Sequence, residues 1–253
     1  VTVLHVDDEP GSVDLAAAYL ERQDDRITVT TATNVSDATA QLSATTDCVI
    51  SDYEMPMMDG IELLSTVREE YPELPFILFT GKGSEEIASE AISAGVTDYL
   101  QKGTNVEQYT LLANRVLNAV TQYNAELRAD TERQRFQSLF DELTQPAVEV
   151  EFEANEPIIQ AVNSAFEAVF GYPAADTVGQ SLDAIIVPET DSATAEQINQ
   201  LFRSGEQLDA QEVTRQTEDG LREFLLQTAP FDDRTGGFVI YTDITERKQR
   251  EEK

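Results

Sequence analysis

The chain has 253 residues, 41% of them hydrophobic, and carries 48 Asp and Glu against 17 Lys and Arg, a formal net charge of −31. That charge excludes unaided nucleic-acid binding, which needs a basic footprint for the phosphate backbone, and it opposes docking on an anionic membrane surface. No apolar run approaches ~18 residues, so neither a transmembrane helix nor a signal peptide is expected, and the lone Cys48 cannot form an internal disulfide; both point to a cytoplasmic protein.

At ~100–200 residues per domain, the length predicts two domains. Lysine is scarce: Lys82, Lys102, Lys248 and Lys253 stand against thirteen arginines. A folded chain that tolerates this much self-repulsion reads as halophilic, because ~1 M salt shortens the Debye length to ~3 Å.

The first hundred residues alternate strand and helix patterns. Strands are predicted over 1–6, 27–32, 48–50, 75–80 and 97–101. Between them, Val13, Ala16, Ala17 and Leu20 recur at helical spacing, as do residues 35–42, then Ile61, Leu64 and Val67, then Ile87, Ala88, Ala91 and Ile92. Such alternation predicts an α/β domain with a doubly wound, five-stranded parallel sheet, whose ligands bind beyond the carboxyl ends of the strands.

Residues 104–145 contain no Gly or Pro, and Leu112, Val116, Ala119, Tyr123 and Leu127 recur at helical intervals. A long helix is expected to run on into a connector, with a break possible in the polar stretch 130–135. After Pro146 the pattern becomes that of an α+β domain with an antiparallel sheet. Strands are expected at 148–152, 158–162, 211–217, 222–229 and 237–243, with helices inserted on one side and an Asp219-Gly220 hairpin turn. Residues 1–122 hold 21 acids and 6 bases, 123–140 hold 3 and 3, and 141–253 hold 24 and 8. The neutral connector is where two chains approach with least repulsion, so a homodimer is expected.

Three predicted strand ends bring reactive groups to one edge of the parallel sheet: Asp7 and Asp8, then Asp52, then Thr80, with Lys102 after the fifth strand. Clustered carboxylates repel unless a cation sits among them, and Mg²⁺ suits one or two carboxylates and several waters. With Lys102 as a fixed positive charge, the cluster can run phosphoryl transfer. Asp52 is the nucleophile, and the Thr80 hydroxyl donates to an equatorial oxygen.

The pattern His5-Val6-Asp7-Asp8-Glu9-Pro10, Ser51-Asp52-Tyr53-Glu54-Met55-Pro56-Met57-Met58-Asp59-Gly60, Phe79-Thr80-Gly81 and Asp98-Tyr99-Leu100-Gln101-Lys102 resembles a response-regulator receiver domain. The resemblance implies a flavodoxin-like receiver fold, phosphorylation on Asp52, and Mg²⁺ held by Asp7, Asp8, Asp52 and the backbone carbonyl of Glu54. It also implies a Thr80–Tyr99 switch pair and a phosphate-contacting Lys102. Two residues depart from the family pattern: Gly103 follows the lysine where proline is usual, and Gly81 follows the threonine where alanine is usual. Glu9 reads as a solvated turn residue, Asp59-Gly60 as a turn and helix cap, and His5 as a core or edge residue of its strand.

Residues 161–172, 178–188 and 238–248 resemble a PAS domain, in its first helix, the following segment and its last strand with exit motif. This region has no Cys and no His, so a cysteinyl-flavin adduct and histidine-ligated haem are excluded, and any PAS ligand is unknown. Phe166, Phe170, Phe202, Phe224 and Phe238 are expected mainly as core. The expected organisation is a receiver domain at 1–120, a helical linker at 121–140, a PAS domain at 141–248 and the start of an exit helix at 249–253. In related proteins that exit motif leads to an output module, so the chain is either a fragment or acts by binding.

His5 is the sole histidine, no Gly-x-x-x-x-Gly-Lys-[Ser/Thr] loop occurs, and Gly81-Lys82-Gly83 is isolated. The chain is therefore expected to be no kinase. It would take phosphate from a cognate histidine kinase and relay the switch to the PAS domain. A Mg²⁺-dependent phosphatase is disfavoured, since such enzymes want Asp-x-Asp at the first strand end. A PAS scaffold with a vestigial receiver is the third reading.

Overall fold

The computed structural model describes residues 1–81, 85–103 and 105–251. Lys82 and Gly83 of the isolated glycine–lysine turn, Thr104 at the expected start of the connector and the last two residues of the exit helix lie outside them. Two compact units divide the chain, Val1–Thr131 and Glu132–Lys253.

In the first unit β1 (Thr2–Val6), α1 (Pro10–Gln23), β2 (Thr28–Ala32), α2 (Val35–Gln41), β3 (Cys48–Ser51), α3 (Gly60–Glu70), β4 (Phe76–Thr80), α4 (Glu85–Ala94) and β5 (Asp98–Gln101) alternate, followed by α5 (Glu107–Glu142). The strands pair in parallel in the order β2-β1-β3-β4-β5. The inner strands β3 and β4 are buried along their whole length, which is why they read as unbroken apolar runs, whereas edge strand β2 alternates. Successive residues of β1 serve opposite faces. Val3 packs with Leu20, Ile50, Leu112 and Val116; Leu4 packs with Val49, Leu63, Leu64 and Leu78. Each such side chain taken fully out of water contributes about 1.5–3 kcal/mol.

The long helix expected over the connector forms as α5, which runs through the polar stretch 130–135 without a break and joins the two units. The second unit continues with β6 (Ala147–Glu153), β7 (Glu156–Val162), α6 (Ser164–Phe170), α7 (Ala174–Thr177), α8 (Leu182–Ile186), a 3₁₀ turn, α9 (Ser192–Ser204), β8 (Gln211–Thr217), β9 (Gly220–Pro230), β10 (Gly236–Asp243) and α10 (Thr245–Glu251). Its sheet is antiparallel in the order β7-β6-β10-β9-β8. The β8–β9 hairpin closes one residue earlier than Asp219-Gly220: Thr217 pairs with Gly220, so Glu218 and Asp219 form the loop. Gly220 enters β9 with φ +124°, a value that favours glycine.

One sheet face carries the core, where Phe166, Phe170, Phe202, Phe224 and Tyr241 pack under the helices. Phe238 departs from expectation. It is half-buried on the other face, against Phe231 and against Phe136 and Phe140 from the end of α5. Strand alternation explains this, because Val239 and Tyr241 occupy the core face of β10. The core also holds a buried charge: Arg215 on β8 donates from Nη1 to Asp191 Oδ2 at 2.5 Å and to the Thr214 carbonyl at 2.9 Å. Among the described residues no helix is long and apolar enough to cross a membrane.

Candidate functional site

The site lies at the carboxyl edge of the parallel sheet. Asp7 directly follows β1, and its N–H donates to the Ala32 carbonyl at 3.2 Å. Asp52 directly follows β3, and its N–H donates to the Val6 carbonyl at 2.8 Å. These bonds extend the sheet pairing one residue and hold both carboxylates side by side. Lys102 directly follows β5 and donates its N–H to the Thr80 carbonyl at 2.7 Å.

The side chains converge as this backbone arrangement dictates. Lys102 Nζ lies 2.6 Å from Asp7 Oδ2 and 2.7 Å from Asp52 Oδ1. Asp7 is buried and also accepts from the Ser12 hydroxyl at 2.7 Å and from the Glu9 N–H at 2.9 Å. Asp52 is buried and accepts from the Glu54 N–H at 3.0 Å on its other oxygen. Burial pushes the Asp52 carboxyl above its ordinary range, and the Lys102 hydrogen bond offsets that only in part. Burial acts on Asp7 in the same direction, but the donors from Lys102, Ser12 and Glu9 outweigh it and hold the group below its usual value. For Lys102, burial disfavours the charge, while hydrogen bonds to Asp52 and Asp7 outweigh it and hold the ammonium above its normal pKa.

Thr80 ends β4 and is buried; Tyr99 lies within β5, half-buried and paired in register with Leu78. Glu9 is exposed, as expected of a turn residue, and His5 is fully buried within β1. The three carboxylates are not equally placed. Asp7 and Asp52 come together, whereas Asp8 is half-exposed, and among the described residues no three His, Cys, Asp or Glu side chains gather into a metal-binding group. Two hard carboxylates sharing a cation still match what Mg²⁺ takes, one or two carboxylates with waters completing its octahedron.

Several contributors carried no sequence signal of their own. Ser12, on the first turn of α1, orients Asp7. Gly60 does more than open a helix: a Cβ there would stand 2.4 Å from the Asp52 carbonyl oxygen and 2.7 Å from Leu78 Cδ2. Asp59 caps α3 as read, accepting from the N–H groups of Ile61 and Glu62 while Glu62 reaches back to the Asp59 N–H. Gly81 itself is exposed, and nothing lies within 4 Å of where a Cβ would be.

Residues 3–114 match the family model for the response regulator receiver domain, and residues 140–249 match that for the PAS fold. Over 121 residues the chain is 31% identical to the nitrogen assimilation regulatory protein NtrX of Azorhizobium caulinodans, covering 47% of this chain and 26% of that protein. It is 29% identical over 122 residues to the response regulator SaeR of Staphylococcus aureus, covering 48% of this chain and 53% of that one. The chain thus spans between about a quarter and about half of these curated relatives. Among solved structures, the chemotaxis protein CheY4 of Vibrio cholerae shares 33% identity, with 46% of this chain and 98% of that one covered and a TM-score of 0.42. The chain is a response regulator receiver domain followed by a PAS domain.

Proposed function

We propose that the protein works in two-component phosphorelay signalling, accepting a phosphoryl group on Asp52 from the phosphohistidine of a cognate histidine kinase. The observation that carries this reading is the single ammonium of Lys102 shared by Asp7 and Asp52 at adjoining strand ends. An Asp52 carboxylate oxygen forms the new bond to phosphorus as the bond to the donor imidazole breaks, its electron pair leaving with the ring. Lys102 would offset charge on the transferred group, and the Thr80 hydroxyl would donate to it. Asp7, Asp8, Asp52 and the Glu54 carbonyl are the residues that would hold Mg²⁺, whose charge would neutralise the phosphoryl oxygens when bound.

Thr80 and Tyr99 form the switch pair of this reading, and α5 carries the signal to the PAS domain as a homodimer. Taking a switch from mostly off to mostly on requires about 5.5 kcal/mol of differential stabilisation, within reach of several charge-assisted contacts to one phosphoryl group. The chain assists its own modification rather than catalysing turnover, and it makes no direct contact with nucleic acid. The test is Mg²⁺-dependent labelling of the protein by acetyl phosphate, lost in Asp52→Asn; an unlabelled wild type sinks the reading.

A further inference from the structure

Lys102 Nζ bridges two carboxylates, and β5 ends one residue before it. The residue after Lys102 is Gly103, exposed and free of the restraint a proline ring would impose. Its N–H, a group proline lacks, donates to Gln108 Oε1 at 2.5 Å. Gln108 sits in the first turn of α5, and its neighbour Tyr109 meets the Phe79 ring edge-on at 6.0 Å between centroids. Phe79 in turn lies 5.8 Å from Lys102 Nζ. The same helical turn therefore grips the backbone after Lys102 and the aromatic wall beside its ammonium.

We propose that Gln108 is a positioning residue for Lys102, a side-chain clamp on the Gly103 N–H that does the work of a rigid residue after the lysine. The proposal rests on Asp52 as phosphoryl acceptor. Gly103 does not adopt the left-handed conformation, and a Cβ there would find Gln108 Oε1 at 3.8 Å and the Asn105 N at 4.0 Å, ordinary contact distances. Lys102 comes straight after a strand, the extended setting that suits a residue preceding proline. Position 103 thus has room for a side chain, and a proline there, needing no partner, is the alternative to a glycine held by Gln108.

The test compares initial rates of acetyl phosphate labelling, with Mg²⁺, in the full chain. Gln108→Ala is expected to slow labelling about tenfold, inside the ~10²-fold that an ångström of misplacement can cost. It should also speed hydrogen exchange of the Gly103 amide. The double variant Gln108→Ala/Gly103→Pro is expected to return to near the wild-type rate, a rescue that a purely structural role for Gln108 does not produce. Wild-type labelling with an unchanged rate in Gln108→Ala overturns the clamp alone, as does a slowed variant that proline fails to rescue. No labelling in wild type overturns both the clamp and the acceptor role of Asp52. Should Gln108→Ala fail to fold, Gln108→Asn, one methylene too short for the contact, gives the same reading.

Discussion

The Asn163 carboxamide donates from Nδ2 to the Phe140 carbonyl at 3.2 Å, across 23 residues of chain. The same nitrogen reaches the Gln145 carbonyl at 2.9 Å, while Oδ1 accepts from the N–H groups of Ala147 and Phe166 at 2.9 Å each. One fully buried side chain thus caps the end of α5, starts β6 and opens α6. Asn163→Ala strands several buried polar groups, each costing about 1–3 kcal/mol. We expect a loss of about 3 kcal/mol or more in urea unfolding followed through the PAS domain; a loss below 1 kcal/mol would show that the network is not load-carrying.

The Arg215–Asp191 pair leads to a sharper asymmetry. Removing one partner leaves the other charge uncompensated, and Arg215 is 2% exposed. Asp191→Ala should destabilise by about 3–5 kcal/mol, whereas Arg215→Met with Asp191→Leu, which removes both charges, should cost far less. Comparing the single and double variants by denaturant titration checks this.

His5 makes stability pH-dependent. Burial, aided by the Lys102 charge and opposed by Asp7, lowers its pKa from 6.5 to about 4. A base whose folded value is depressed contributes stability that is fully present above its unfolded pKa and is lost as pH falls toward the folded one. Between pH 6.5 and 4 the wild type should therefore lose about 3 kcal/mol that a His5→Leu variant keeps. Parallel urea titrations of both proteins at pH 7 and pH 5 measure the difference, and equal slopes against pH would count against it.

An apolar patch supports the proposed homodimer. Phe136, Leu139, Phe140, Leu143, Phe238 and Ile240 line it, with Leu139 67% exposed and Phe136 41% exposed. Part of it lies within 123–140, where three acids balance three bases. Exposed apolar patches of this kind mark interaction sites, and in a chain at −31 self-association should strengthen as salt screens the remainder. Leu139→Glu should shift the protein to monomer in sizing experiments at 1 M KCl; a wild type that stays monomeric at high concentration and salt contradicts the assignment.

The strand ends were readable because parallel strands buried on both faces leave runs such as Cys48–Ser51 and Phe76–Thr80, and the polar residue at or just after the end of each run, Asp52 or Thr80, is the one that reaches the edge. Asp8 is half-exposed where its neighbour Asp7 is buried, a difference that adjacency in sequence does not reveal. Ser12, Gly60 and Gln108 were illegible for a common reason. Each acts through a contact with a residue outside its own helix, and none is of a type that announces such a contact. Phe238 was misplaced because an aromatic in a half-buried strand gives no sign of which sheet face it serves until its neighbours are known.

The hydrogen bond between Gly103 and Gln108 also constrains how this lineage can drift. While glycine holds position 103, a substitution at position 108 carries a penalty; once proline arrives there, the helix residue is released and can change without consequence. The two positions should therefore vary as a correlated pair among relatives, with the order of replacement deciding which evolutionary paths remain open.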